Sequence, residues 1–174
     1  MILALDISTS ITGVTVLDDS TIVYNEAVDT RNKKKYPNTW SKAEAVRSRL
    51  LYLREEYPSI EGVYIEKSLQ MFRSGFSSAK TLATLSSFNG IVSWLCYEIF
   101  HTIPAYISAT TARKLCSIKI PKGKKAKQVV LEYLVANEPQ FVVETTHKGN
   151  PSPSTYDRAD SLIIAMAAQR QKNV

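Results

Sequence analysis

Residues 1–28 read MILALDISTSITGVTVLDDSTIVYNEAV, and this stretch predicts three consecutive strands at the start of the chain. Its first run is apolar from Ile2 to Leu5, which is typical of a strand buried in the middle of a mixed sheet. Residues 13–17 and 21–28 are two further extended runs. The polar turn at 18–20 joins them, so the sequence predicts an antiparallel meander after the first strand.

An acid, Asp6, directly follows the apolar run of the first strand. Because side chains alternate along a strand, Ile2, Ala4 and Asp6 share one face. Burying a carboxylate is costly unless a cation or hydrogen-bond donors meet it. Asp6 is therefore a candidate functional residue rather than an ordinary surface acid.

The next segments predict a helix and a fourth strand. Ser41 and Glu44 have the spacing of a capping box ahead of apolar residues spaced three and four apart, as in an amphipathic helix. Residues 62–65 predict a short buried strand with Glu66 at its end. A strand-end glutamate paired with Lys67 is the simpler interpretation of Glu66 when that residue is taken alone.

Residues 75–100 predict a long, weakly polar helix. Small residues recur along it and permit close approach of another backbone, either the parent sheet or a second subunit. These residues are Ala79, Ala83, Ser87 and Gly90. A helix break at Gly90 is the alternative. Residues 103–107 then predict a fifth strand, and 109–116 and 124–135 predict two further helices.

A block of one charge sign lies between Glu98 and Glu132, where the sequence has no acidic residue. It predicts a phosphate-binding surface, with a solvated helical face as the alternative. The formal net charge of +6 likewise favours a polyanionic partner. The block consists of Arg113, Lys114, Lys119, Lys122, Lys124, Lys125 and Lys127.

Length and cysteine content narrow the class of protein further. A chain of 174 residues, of which 44% are hydrophobic, fits one globular domain over residues 1–174. Cys96 and Cys116 lie in apolar segments without CxxC spacing, which favours reduced core residues over a zinc site or a disulfide framework. The chain opens without a basic leader and contains no long apolar span, so we expect a cytoplasmic protein without membrane association.

The last predicted helix carries two acids, Asp157 and Asp160, whose spacing places both on one helix face. Ser154 precedes Asp157 at capping-box distance, so a capping role for Asp157 is the alternative. The run 162–166 is apolar, so we expect the helix to pack against the core. Its two acids would then lie at the edge of the core. The segment 144–155 before this helix has no periodicity and predicts a mobile loop.

Four carboxylates thus occur in three separate segments, each next to a predicted buried element: Asp6, Glu66, Asp157 and Asp160. Oxygen ligands without a histidine or cysteine cluster favour Mg²⁺, with Mn²⁺ as a substitute, over zinc. Two such ions in one site can activate a water and stabilise the leaving oxygen of a phosphodiester. The pattern predicts a two-metal nuclease centre, in which His147 is either an accessory for proton transfer or a bystander.

Several motifs of this chain resemble those of the RuvC-type Holliday-junction resolvases, in the same order and over nearly the whole chain. They are DISTSITGV, VYIEKS, ISATTARKLC with KGKKAKQVVLEYL, and YDRADSLIIAMA. The resemblance implies an α/β ribonuclease H-like fold, in which a central mixed five-stranded sheet is flanked by helices. It also implies that Asp6, Glu66, Asp157 and Asp160 hold the metal ions and that the chain cuts four-way junctions by paired symmetric nicks.

The same resemblance implies how branched DNA is bound. The family's basic helix is matched by Arg113 and Lys114, and its DNA-binding lysine by Lys125 or Lys127. With the neighbouring lysines, the predicted DNA-binding set is Arg113, Lys114, Lys122, Lys124, Lys125 and Lys127.

Two departures from the family pattern concern the choice of cut site. Family members commonly have Asp-Pro-Gly in the turn after the first strand, where this chain has Asp6 followed by isoleucine and serine. Many bacterial members carry an aromatic residue three positions after the strand glutamate, where it wedges at the crossover. Here that position is Leu69, with Phe72 shortly after it, and we predict DNA contacts for both. The departures indicate a permissive, phage-like or otherwise divergent branch.

Family members are homodimers with a long helix at the interface, so the resemblance assigns residues 75–100 to a dimer contact. A closed two-fold dimer presents two identical active sites to a junction that has two-fold symmetry. The small residues of this helix, or the bulkier Phe88 and Trp94 beside them, are predicted to form the contact.

Two other classes of protein share parts of this pattern. The superfamily of sugar kinases, heat-shock ATPases and actin also opens with Asp, small residues and Thr-Gly, but it binds ATP between two domains, and this chain is too short and glycine-poor for a second one. A non-catalytic junction-binding module would keep the fold, but clustered acids facing phosphates would weaken a pure binder. A broader branched-DNA debranching nuclease stays open as the alternative reaction.

Overall fold

The computed structural model describes residues 1–67 and 79–172 of the chain. Its strands are β1 (Ile2–Asp6), β2 (Ile11–Asp18), β3 (Thr21–Asp29), β4 (Gly62–Glu66) and β5 (Ala105–Ile107). They form one sheet with the order β3-β2-β1-β4-β5. β2 pairs antiparallel with β1 and β3, whereas β1, β4 and β5 run parallel to one another. The predicted meander and the mixed five-stranded sheet are both confirmed.

Helices in the same part of the chain cover both faces of the sheet. They are α1 (Thr39–Glu56), α2 (Ala79–Phe100), α3 (Ala109–Leu115), α4 (Ala126–Asn137) and α5 (Pro153–Lys172). α1 and α2 pack against one face, where Leu3 and Leu5 contribute to the core. α3, α4 and α5 pack against the other face, with Ile2 and Ala4. The alternation along β1 is therefore as predicted, and it puts Asp6 on the face that α5 covers.

The N-terminus of α1 differs from the prediction. Asn38 is the N-cap, and its side-chain oxygen accepts a hydrogen bond from Ser41 N at 2.9 Å. The Ser41 hydroxyl in turn accepts one from Asn38 N at 3.3 Å, so these two residues form the capping box. The predicted box of Ser41 and Glu44 was wrong because an asparagine caps as well as a serine, and the helix extends back to it.

α2 continues through Gly90 to Phe100, as predicted, and the alternative of a helix break at Gly90 was wrong. The first predicted residues of this helix, 75–78, lie outside the described residues. All four small residues of the helix are exposed, so the sheet does not cover them. Phe88 is fully buried in the core, and the prediction that it contacts a second subunit was wrong because it projects from the opposite side of the helix. Trp94, by contrast, is 59% exposed.

The start of β5 and the segment before α5 both differ from the sequence pattern for local reasons. β5 begins at Ala105 rather than at 103, since Pro104 has no N–H group to donate to the sheet and Ile103 is exposed. The segment 144–155 contains a tight turn, in which Thr145 and Pro151 form a β-bridge. An aperiodic sequence can therefore still adopt a hydrogen-bonded turn.

The remaining expectations concern cysteines and membranes. Cys96 and Cys116 are free and buried, which confirms their assignment as reduced core residues. Among the helices of the described residues, none has the length and apolar character needed to cross a membrane.

Candidate functional site

Asp6 and Glu66 lie next to each other at one edge of the sheet. They end β1 and β4, which are parallel neighbours, and the residues just before them, Leu5 and Ile65, are paired in register. Tyr64, two residues before Glu66, packs into the core beneath α5. Because side chains alternate along a strand, Glu66 projects to the same face, which is also the face of Asp6.

α5 brings the other two predicted acids to this edge. Asp157 and Asp160 lie after the first turn of the helix, with side chains that are 15% and 17% exposed. The helix starts at Pro153, and the Ser152 hydroxyl accepts a hydrogen bond from Thr155 N at 3.2 Å. The capping interpretation of Asp157 was wrong, because Ser152 is placed to cap the helix and Asp157 lies inside it.

A glycine lets α5 approach the sheet this closely. Gly13 on β2 is the register partner of Asp6 on β1. A Cβ atom on Gly13 would overlap the carbonyl oxygen of Asp157. The backbones of β2 and α5 are thus in direct contact beside Asp6. Sequence reasoning assigned no role to Gly13, although an isolated glycine within a strand is a known sign of close backbone approach.

A buried polar network holds the start of α5 against β2 and β3. The Arg158 Nε donates to Asn25 O at 3.0 Å, and Arg158 Nη1 lies 2.8 Å from Glu144 Oε1. The Asn25 amide donates to Thr15 Oγ1 at 2.7 Å, and the hydroxyls of Thr15 and Ser161 are hydrogen bonded at 2.8 Å. This network fixes the rotation of the helix that carries Asp157 and Asp160. It was missed because its partners come from segments far apart in the sequence.

A lysine lies between the two acids of α5. Lys127, in the first turn of α4, places its Nζ atom 3.1 Å from Asp160 Oδ2 and 3.5 Å from Asp157 Oδ1. The basic block and the family resemblance both predict DNA binding for Lys127. In the structure it also serves as a cation for the acidic cluster.

The carboxylates perturb one another strongly. Burial raises the pKa of Asp6 well above its usual value, and the charges of Glu66 and Asp160 raise it further. Burial and the charge of Asp160 likewise raise the pKa of Glu66 to about 7. Burial also raises the pKa of Asp157 and Asp160, against the opposing charge of Lys127. The raised pKa values mean that the four carboxylates resist being ionised together unless an additional cation is bound.

This donor set fits hard divalent cations. Carboxylate oxygens are the preferred ligands of Mg²⁺ and Mn²⁺, and an ammonium group already stands in for a cation between Asp157 and Asp160. Within residues 1–67 and 79–172, no group of three or more His, Cys, Asp or Glu side chains is arranged to hold a metal ion. The acids thus share one edge of the sheet, but their side chains are not drawn together around a common point.

The basic block borders the same cluster. Arg113 on α3 acts electrostatically on Glu66 and Asp160. Lys114, Lys122 and Lys125 are exposed, as is Lys124, whose Nζ lies 3.8 Å from Glu132. The predicted DNA-binding residues of α3 and of the start of α4 therefore lie on a surface that reaches solvent.

The structure does not test the roles predicted for three other residues. His147 is exposed in the turn before α5. Its part in proton transfer stays a prediction. Leu69 and Phe72, which we predicted to contact DNA, lie outside the described residues.

Comparison of the sequence with known proteins gives no relative, since no family model and no curated protein matches it. Comparison of the structure does give neighbours. RuvC of Thermus thermophilus in complex with a Holliday junction substrate superposes with a TM-score of 0.67 and 16% identity, covering 99% of this chain and 94% of that one. A second T. thermophilus RuvC structure gives a TM-score of 0.65 and 17% identity, covering 99% and 95% of the two chains.

A eukaryotic protein shares the same architecture. The yeast mitochondrial Holliday junction resolvase Ydc2 superposes with a TM-score of 0.63 and 16% identity, covering 99% of this chain and 78% of that one. The chain therefore has the RuvC-like, ribonuclease H-like fold that its motifs predicted.

Proposed function

We propose that this chain, as a single domain, is a metal-dependent endonuclease that resolves four-way DNA junctions by paired symmetric nicks. The observation that carries the proposal is the meeting of Asp6, Glu66, Asp157 and Asp160 at one sheet edge, although they come from three separate segments. The choice of substrate is supported by the fold, because its structural neighbours include resolvases and a RuvC bound to a junction.

The four acids are proposed to hold two Mg²⁺ ions, for which Mn²⁺ substitutes. Such ions, when bound, generate a nucleophilic water and stabilise charge on the leaving oxygen of the phosphodiester. The protein's part is to hold the carboxylates on two strand ends and one helix, at positions that are mostly excluded from solvent. Rigid strands and helices position such groups better than loops do.

Residues around the acids are proposed to bind the DNA backbone. Four acids alone would repel phosphates, whereas Arg113 and Lys127 oppose that charge at the edge of the site. Lysines hold phosphates without regard to sequence, so this surface would position the substrate rather than read its bases. The proposed backbone contacts are Arg113, Lys114, Lys122, Lys124, Lys125 and Lys127. Leu69 and Phe72 are proposed to lie at the crossover, and His147 to assist proton transfer.

A homodimer through α2 is part of the proposal. Among the described residues, none covers the stripe of small residues on α2, and none lies within 4 Å of a Cβ built on Gly90. The exposed Trp94 and Trp40 border the same region and line a depression with Gly90 and Leu95. A second copy of α2 would cover this surface and bring a second active site to the junction.

The experiment that tests the function compares purified protein on four-way, three-way and linear duplex DNA, with Mg²⁺ or with EDTA. We expect paired nicks in the four-way junction in Mg²⁺ and none in EDTA. Equal cleavage of the three-way and four-way substrates would favour the alternative, a broader branched-DNA debranching nuclease. Tight junction binding without any cleavage in Mg²⁺ or Mn²⁺ would favour a non-catalytic junction-binding module.

A further inference from the structure

A second group of basic residues lies at the same edge of the sheet as the acids. β2 is antiparallel to both β1 and β3, so β3 ends at the edge where β1 ends with Asp6. The segment that follows β3 contains Arg31 and the consecutive lysines 33–35, all exposed. Sequence reasoning assigned this segment no function.

The segment is held firmly at this edge. The buried Thr30 donates from its backbone N to Ser10 O at 2.8 Å, in the turn that follows β1. Lys42 of α1 donates to Thr9 O in the same turn at 2.5 Å. The start of the basic segment and the start of α1 are therefore both fastened to the turn next to Asp6.

A local turn presents the lysines to solvent. The Asn32 side-chain oxygen accepts hydrogen bonds from Lys34 N at 3.0 Å and Lys35 N at 3.2 Å. Lys35 Nζ lies 5.2 Å from the centre of the Tyr36 ring, and both residues line one surface depression with Arg31. Asp29 lines the same depression and pairs with Arg31, so an anion placed there would meet the ammonium group of Lys35.

The charge of the segment is largely uncompensated. Arg31 pairs with Asp29 at 2.5 Å, but among the described ion pairs the three lysines have no acidic partner. Arg31 also acts electrostatically on the Asp157 carboxylate, so the segment reaches the border of the acidic cluster. Uncompensated cations beside the acids would offset the repulsion between the acids and a polyanion that lies across the cluster.

The order of the strands places this segment at the opposite end of the sheet from the basic residues of α3 and the start of α4. The basic segment follows β3, at one end of the sheet, whereas α3 with Arg113 follows β5 at the other end. The acids of β1 and β4 lie between them. Five strands span about 19 Å at the usual spacing of roughly 4.8 Å. That distance corresponds to about five or six phosphates along one DNA strand.

We propose that residues 31–35 form a second backbone-binding surface, which holds phosphates on the side of the scissile bond opposite to those held by α3 and α4. This inference rests on the proposed function for the identity of the polyanion as DNA. It assigns Lys34 and Lys35 as phosphate contacts. The DNA backbone is then held on both sides of the scissile phosphate rather than on one side only.

Two adjacent lysine pairs allow a matched test. The Lys34→Ala/Lys35→Ala protein is compared with Lys124→Ala/Lys125→Ala, and Arg54→Ala, near the far end of α1, is the control. Binding to a labelled four-way junction is measured in EDTA over a range of salt concentrations. We expect the slope of log affinity against log salt to fall by up to about 1.8 in each pair variant, since each lost phosphate contact contributes about 0.9. Arg54→Ala should keep the wild-type slope.

Uncharged methylphosphonates placed singly on either side of the cut site then locate the contacts. Substitutions on one side should weaken wild-type binding but have no further effect on Lys34→Ala/Lys35→Ala. Those on the other side should have no further effect on Lys124→Ala/Lys125→Ala. A wild-type salt slope in Lys34→Ala/Lys35→Ala, or the same side affected in both pairs, would overturn the second surface.

The inference and the proposed function fail in different ways. A wild-type protein that cuts junctions while the Lys34→Ala/Lys35→Ala variant keeps the full salt slope overturns the inference alone. A wild-type protein that cuts no DNA, while that variant still loses salt slope, leaves the second surface standing and overturns the nuclease. Absence of DNA binding by the wild type overturns both.

Discussion

The backbone of Asp157 lies directly against Gly13, where a Cβ atom would overlap the Asp157 carbonyl oxygen. Gly13 is also the register partner of Asp6. One glycine therefore sets how closely the helix bearing two of the acids approaches the strand bearing a third. The geometry of the cluster therefore depends on the absence of a side chain at position 13 of β2.

We predict that Gly13→Ala displaces α5 and abolishes cleavage. The added methyl group meets backbone atoms, which cannot rotate away as a side chain can, so we expect a loss of stability of about 1–3 kcal/mol. Urea unfolding measures the stability, and junction cleavage in Mg²⁺ measures the activity. Glu55→Ala, an exposed change on α1, is the control and should keep both the stability and the cleavage activity of the wild type. Full activity of Gly13→Ala would contradict the proposed dependence.

The second prediction concerns the carboxylates themselves. Asp6→Asn, Glu66→Gln and Asp160→Asn should each lose cleavage while keeping junction binding, because an amide preserves shape but lacks the charge that holds a divalent cation. Asp157→Asn should behave in the same way. Asp18→Asn, at the opposite edge of the sheet, should cut normally. Gel shift and cleavage assays on one junction give both readouts, and full activity in any of the four variants would remove that residue from the site.

The acids on the strands could be predicted from sequence, whereas the lysine between the helix acids could not. Asp6 and Glu66 each end a short apolar strand, so their burial and their shared edge follow from local pattern and parallel pairing. Lys127 reaches Asp157 and Asp160 only because α4 packs beside α5, and a charge block cannot indicate which of its lysines turns inward. The Asn38 cap was missed for a different reason, since two residues of equal capping ability compete at that helix start.

A third prediction is a pH dependence of stability in the metal-free protein. The pKa of Glu66 is raised to about 7 in the folded state from its usual 4.5, so the folded protein binds a proton more tightly than the unfolded chain. The stabilising effect is present below pH 4.5 and is lost as the pH rises through 7. In EDTA, Glu66→Gln should match the wild type near pH 4.5 and exceed its stability at pH 8 by at most about 3 kcal/mol.

Urea unfolding at several pH values checks this dependence. Glu55→Gln, an exposed change on α1, is the control and should follow the wild type at each pH. A constant difference between Glu66→Gln and the wild type from pH 4.5 to pH 8 would show that Glu66 ionises normally. Mg²⁺ should flatten the wild-type dependence if the acids hold it.

The fourth prediction is that Lys127→Met lowers the stability of the metal-free protein and increases the stabilisation by added Mn²⁺. Removing the ammonium takes the nearest cation away from Asp157 and Asp160, at an expected loss of about 1–2 kcal/mol, reduced because the lysine side chain is 58% exposed. Thermal unfolding in EDTA and in Mn²⁺ measures both effects. Lys125→Met, on the same helix start but without a side-chain cap bond, is the control. An identical Mn²⁺ response in Lys127→Met and the wild type would mean that Lys127 and the metal do not compete.

The last prediction is a homodimer that depends on the exposed stripe of α2. The small residue Ala83 lies in the middle of this stripe, and an arginine there would put a long charged side chain where a second helix must approach closely. We expect sedimentation of the wild type at twice the chain mass, and Ala83→Arg as a monomer that no longer makes paired nicks. Ser59→Arg is the control and should remain dimeric. Ser59 is exposed in the turn before β4, at the sheet edge opposite the acids. A wild-type monomer that cuts one strand per binding event would rule out paired resolution, because two symmetric nicks in one encounter require two active sites.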